Sequence, residues 1–268
     1  MSFQPILPLS GYSGWAFLNR TLESQKENFA ASRQVQSDVD YFRENISNVR
    51  SATDLVGDYR LLKVALGAFG LDDDIGNKFF VQKVLSEGTS SGESFSNKLA
   101  DKRYFAFSQA FGLGDGEVTR TALPGFSDSC ISAYQERQFE MAVGEQNENF
   151  RLALDTRREL AEIASGDLSE NGMWYSVMGS PPLRTVFETA FNLPSSFSSL
   201  NIDDQLEVFR DKASREFGED SIRQFSEPEQ REKLIRTFLL RKDLNESLGA
   251  MTSNNIALMI ISSANNYR

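Results

Sequence analysis

A chain of 268 residues, 40% hydrophobic and 25% charged, has enough apolar material for one large core or two ordinary ones and lies outside the disordered range. Its formal net charge of −10 and pI near 4.7 disfavour nucleic acid and anionic membrane as partners. The absence of histidine removes the commonest general acid–base group, the usual serine triad and the commonest zinc ligand, and a single cysteine, Cys130, precludes an intramolecular disulfide.

The opening MSFQPILPLSGYSGWAFL has no basic stretch ahead of its apolar residues, so it makes a poor secretory signal. The apolar run Ile256 to Ile261 is too short to span a bilayer. A cytoplasmic protein without membrane insertion is expected, with export by a signal-less route as the alternative. Residues 1–12 read as a flexible N-terminal segment.

From there the helical period dominates. Residues 13–32 form the first expected helix, with Phe17, Leu18, Leu22 and Phe29 on its stripe. Asp38 heads a second that carries Val39, Phe42, Ile46 and Val49. Residues 58–70 make a strongly apolar helix that Gly70 terminates. The triple acid Asp72-Asp73-Asp74 follows and suits the N-terminus of a helix over Ile75–Leu85. A calcium loop beginning at Asp72 would need Glu at its twelfth position, where Lys83 stands, so no metal site is assigned.

Gly88 to Ser96, GTSSGESFS, has the composition of a flexible loop, and Asp101 caps a helix bearing Phe105, Phe107 and Phe111. The segment GLGDGEVTR, residues 112–120, superficially resembles a phosphate loop. It lacks the lysine and the full glycine spacing and follows a helix rather than a strand, so it reads as a helix stop. From Ser127 to about Ser165 there is no proline and one glycine, Gly144. A long central helix is the preferred reading, and two helices broken near Gly144 the alternative. Ser180-Pro181-Pro182 starts a helix, Asp203 another that ends at Gly218, and Glu227-Pro228 a third. The basic stretch Arg231 to Lys242 reads as a solvated helix face, and a last helix is expected from Asn254 to Ser263. Cys130 reads as a small buried hydrophobe.

One pattern is written twice. RLLKVALGAFGL, residues 60–71, is echoed 122 positions later by PLRTVFETAFNL, residues 182–193, with Leu61, Val64, Ala68, Phe69 and Leu71 matched. Glu27-Asn28-Phe29 recurs as Glu148-Asn149-Phe150, and Phe80, Lys83 and Glu87 recur as Phe209, Lys212 and Glu216. The expected architecture is therefore all-α and multi-helical. Two related subdomains from an internal duplication, 13–125 and 126–250, are joined by the long central helix, and residues 251–268 form a C-terminal helix and tail.

The phrases GYSGWAFLNRT, DYRLLKVALGAFGLDDDIGNKFFVQKVLSEG, KLADKRYFAFSQAFG and AYQERQFEMAVGEQNENFRLAL, in that order, resemble the alphaproteobacterial family catalogued as domain of unknown function 1217. The resemblance runs from about Gly11 to about Leu240, and it implies an all-helical fold. Members are often encoded near flagellar genes, which suggests a flagellar link, and the family supplies no catalytic residues.

The expectation is a non-enzymatic helical protein that binds other proteins, in flagellar assembly or motility. No catalytic, cofactor-binding or metal residue is assigned, and the oligomeric state stays open. Two alternatives are an exported structural flagellar component and a carboxylate-based enzyme or small-ligand binder using Asp72, Asp73, Asp74, Arg103 and Tyr104.

Overall fold

The computed structural model describes the backbone of residues 3–114 and 116–265, with side chains through Ser247. Among the described residues the structure is 75% helix, in 13 α-helices with short 3-10 turns between some of them, and has no strand. None of the described helices is long and apolar enough to cross a membrane.

Two compact units form, and the chain passes between them three times. Residues 1–6 and 18–146 make the first, and residues 7–17 and 147–268 the second. The opening helix α1 (Gly11–Ala30) therefore contributes its first part to the second unit and the rest to the first.

The first unit continues with α2 (Arg33–Asn45), α3 (Ala52–Gly57), α4 (Tyr59–Phe69), α5 (Lys78–Glu87), α6 (Phe95–Lys98), α7 (Arg103–Phe111) and α8 (Phe126–Gly144). Its centre is α4, which packs against α2, α3, α7 and α8. Leu62, Val64, Ala65 and Leu66 of α4 are fully buried. Asp58 starts this helix by accepting hydrogen bonds from the Arg60 and Leu61 N–H groups at 2.9 and 3.1 Å. Gly70 ends it in the left-handed region at φ +68°, which lets the Leu71 N–H reach back to the Leu66 carbonyl at 3.0 Å.

The second unit holds α9 (Glu148–Ser165), α10 (Glu170–Gly179), α11 (Pro181–Ala190), α12 (Ile202–Phe217) and α13 (Pro228–Asn265). Here α11 packs against α9, α10 and α13. It ends as α4 does: Asn192, 122 positions after Gly70, takes φ +51°, and the Leu193 N–H bonds the Glu188 carbonyl at 2.9 Å. Asn is among the few side chains that tolerate this conformation. Around α11 lies a continuous set of rings, Trp174, Phe187, Phe191, Phe197, Phe209, Phe217 and Phe225, with neighbouring centroids 5.2–6.2 Å apart. The phenylalanine excess is thus core, as a ring without a polar handle should be.

Several expectations need correction. The long central helix is two helices, because Asn147 at φ −151° is extended and its side chain caps α9 by accepting from the Phe150 N–H at 3.1 Å. Helix α8 packs on α4 and α2, so the units part at residues 146 and 147 rather than at 125 and 126. The last expected helix is part of α13, which runs unbroken to Asn265. The tail beyond it, residues 266–268, lies outside the described residues. The second helix starts at Arg33, and Asp38 sits within it.

The N-terminal segment is pinned, not loose. Gln25 holds Ile6 by two bonds, accepting from its N–H at 2.7 Å and donating to its carbonyl at 3.2 Å. Phe3 packs edge-on against Phe29, and Gln146 donates to the Pro5 carbonyl at 2.8 Å.

Candidate functional site

Within the first unit, a cleft of about 420 Å³ opens between the end of α1, the start of α2, and helices α4 and α8. Its floor is one stripe of α8, Tyr134, Gln138, Met141, Ala142 and Glu145, because residues three, four and seven apart share a helix face. Phe3, Phe29 and Val35 supply an apolar wall, and Arg33 and Lys63 bring positive charge.

Three polar groups of the cleft, Lys63, Tyr134 and Gln138, are tied to partners. Lys63, half-buried on α4 between the buried Leu62 and Val64, donates to Asp38 at 2.6 Å. The buried Tyr134 hydroxyl donates to the same oxygen at 3.3 Å. Burial, reinforced by the Asp38 charge, raises the Tyr134 phenol well above its ordinary range, so it stays protonated. Gln138 donates to Asp72 at 2.7 Å on the side of α8 toward α4. Arg33 is exposed and forms no ion pair among the described residues.

The acids singled out in the sequence gather beside this cleft at the C-terminal end of α4, in a 3-10 turn over Asp72–Gly76. Burial raises the Asp72 carboxyl above the usual carboxylate range, against the opposing effect of the Gln138 bond. Asp74 accepts from the Tyr104 hydroxyl and from Asn77 at 2.8 Å. Burial first, and then Asp74, push the Tyr104 phenol up. Asp73 is exposed. Arg103 forms a two-pronged pair with Asp101 and also donates to the Gly70 carbonyl, while Arg137 donates to the Ala68 carbonyl at 2.8 Å. Two guanidinium groups thus neutralise the exposed carbonyl end of α4. The structure brings Tyr104 to Asp74 and Arg103 to Asp101, but no group of three metal-ligating side chains forms among the described residues. Cys130 is buried, and burial pushes its thiol up to about 12.

The glycine-rich loop that composition marks as flexible, Gly88 to Ser96, and the segment read as a helix stop, residues 112–120, lock onto each other. One oxygen of Glu117 accepts from the N–H groups of Thr89 and Ser90 at 2.5 and 3.0 Å and from their hydroxyls at 3.1 and 3.0 Å. The segment that superficially resembles a phosphate loop therefore supplies an anion, and GTSSGESFS is the cradle that receives it. Burial would raise the Glu117 carboxyl, but the Thr89 and Ser90 bonds outweigh it and hold it below the ordinary 4.5. A depressed folded value makes this contribution to stability present above the unfolded value and lost as pH falls through the folded one. Glu117→Gln is therefore expected to melt below the parent at pH 7, with the difference shrinking below about pH 4.5, as read by thermal scans across pH. An equal difference at all pH values would mean that the charge is not the source.

Sequence reasoning missed Lys63, Asp38 and Tyr134. A lysine set between Leu62 and Val64 in an apolar helix was the available signal, since a charge there needs a partner.

Similarity supports the fold. A crystal structure of protein AGR_C_984 from Agrobacterium tumefaciens is 26% identical and superposes with a TM-score of 0.72, over 91% of this chain and 99% of that one. No curated protein matches the chain. Residues 68–230 match the sequence model described as protein of unknown function (DUF1217), and the chain belongs to that family.

Proposed function

We propose that the protein is a non-enzymatic, cytoplasmic protein-interaction protein that acts in flagellar assembly or motility. The observation that carries the recognition part is the cleft of the first unit, where an apolar wall stands beside Lys63 and Tyr134, both bound to Asp38, and beside Arg33, which has no ion pair among the described residues. Groups that must give and take protons near neutrality are kept available and poised, whereas Tyr134, Tyr104 and Cys130 are all driven upward, away from it, and Asp72, whose carboxyl burial raises toward it, is occupied by Gln138. Of the acids beside the cleft, Asp72 is bound to Gln138 and Asp74 to Tyr104 and Asn77. The flagellar setting rests on the family resemblance.

We also infer that the two units descend from one duplicated helical segment. The matching left-handed caps at Gly70 and Asn192 support this, as do Gly88 and Gly218 closing α5 and α12. Against it, Glu27-Asn28-Phe29 lies near the end of α1, whereas Glu148-Asn149-Phe150 opens α9.

The functional reading is tested by affinity purification from a motile host and by swimming of a deletion strain. A flagellar protein should co-purify, and swimming should fail or slow. Normal swimming with no flagellar partner sinks the flagellar part, and recovery of the protein in sheared filaments or hook–basal bodies replaces the cytoplasmic role with a structural one.

A further inference from the structure

We propose that the cleft between α2 and α8 receives an apolar side chain flanked by a carboxylate, presented by a partner protein; this rests on the interaction reading above. The apolar half of the recognition comes from Phe29, Val35, Phe3 and Met141. Met141 is 43% exposed although its neighbours Phe139 and Val143 are fully buried, so the α8 stripe offers a flexible thioether to whatever enters. The volume of about 420 Å³ sits at the lower end of ligand-sized clefts and suits a ring with its flanking backbone, not a folded element.

The charged half comes from Arg33. Lys63 is neutralised by Asp38, which leaves the Arg33 guanidinium as the cation at the mouth with no ion pair among the described residues. Its planar fork matches a carboxylate by two parallel hydrogen bonds, a geometry that an ammonium group lacks. An acid also lines the cleft, Glu145, eleven positions beyond Tyr134 and so about 16 Å from it along the α8 axis. In this arrangement the carboxylate of the occupant meets Arg33, and its apolar group meets Met141 and Phe29. In a chain of net charge −10, a free arginine above an apolar wall is the local exception, and an acidic, apolar occupant is its complement.

The test uses the full chain with a labelled Met141 methyl group, followed by nuclear magnetic resonance, and three probes of one skeleton: 3-phenylpropionate, 3-phenylpropanamide and 3-phenylpropylamine. Phenylpropionate is expected to give a saturable Met141 shift at millimolar concentration, with the amide and the amine about fivefold or more weaker. Arg33→Gln, an exposed position, should bring phenylpropionate down to the amide and leave the amide unchanged. Absence of a saturable shift up to ~10 mM overturns the proposal, as does an amine that binds as well as the acid. Should the probe bind while affinity purification finds no partner, the site stands and the protein-partner reading fails. Should a partner be captured equally well by Arg33→Gln and the parent, the partner uses another surface and the assignment of the cleft to it fails.

Discussion

Replacing Phe187 by alanine is expected to destabilise the second unit by about 3–5 kcal/mol, the largest effect of any single core truncation proposed for this chain. The ring is fully buried and meets four others, Trp174 at 5.7 Å, Phe191 at 5.5 Å, Phe225 at 5.5 Å and Phe209 at 6.2 Å. Two effects combine: loss of the transferred apolar area with the void it leaves, and loss of edge-to-face contacts worth about 0.5–1.5 kcal/mol each in pairs that can be measured separately. The four rings converge from α10, the residue just past α11, α12 and the 3-10 turn over Ile222–Ser226, so collapse around the void is restricted. The readout is favourable, because both tryptophans, Trp15 and Trp174, belong to the second unit. Urea unfolding followed by tryptophan emission should show the midpoint falling in Phe187→Ala and only partly recovering in Phe187→Leu. A midpoint within experimental error of the parent would mean that this ring set is not the mainstay of the unit.

The second large effect is expected at Gly114. A methyl group added there would stand 2.4 Å from the Gly88 Cα and 2.7 Å from its nitrogen, and both are backbone atoms that cannot rotate away. Gly114→Ala must therefore part the two loops that Glu117 joins, and a loss of about 3 kcal/mol is expected from overpacking together with the weakened bonds. Gly92→Ala in the facing loop is the control, since nothing lies within 4 Å of the added atom. Both changes lie in the first unit, so tryptophan emission is the wrong probe and far-ultraviolet circular dichroism or hydrogen exchange at Thr89 and Ser90 is the right one. Equal behaviour of the two variants would show that the loops yield without cost.

How much of this was legible beforehand divides along physical lines. Helix α4 was readable almost to the residue, because its apolar period, the Asp58 start and the Gly70 stop are local signals that agree. The break between α8 and α9 was less so, since Gly144 remains helical and the turn is made by Asn147, whose capping role depends on its extended backbone rather than on its identity alone. The loop from Gly88 to Ser96 looks flexible in composition because serine and glycine serve both mobile and densely hydrogen-bonded backbone; the partner that decides between the two, Glu117, is 27 residues away from Ser90. The cleft was illegible for the same reason. It needs Asp38, Lys63 and Tyr134 to come from three helices, and sequence spacing carries no record of such a meeting.

The sharing of α1 has a practical consequence for anyone who wishes to dissect the gene. A recombinant fragment beginning at Asn147 would lack Trp15, whose indole N–H donates to Glu232 at 2.9 Å and whose ring packs on Phe150 and under the Arg157 guanidinium. A fragment trimmed to the shared family stretch, 68–230, would also lose Leu62, Val64 and Leu66 of α4 and Leu234, Ile235 and Phe238 of α13, all fully buried. The portion by which relatives are recognised and the portion that folds are thus different lengths of polypeptide, and expression trials cut to the former should yield aggregates where the whole chain yields protein.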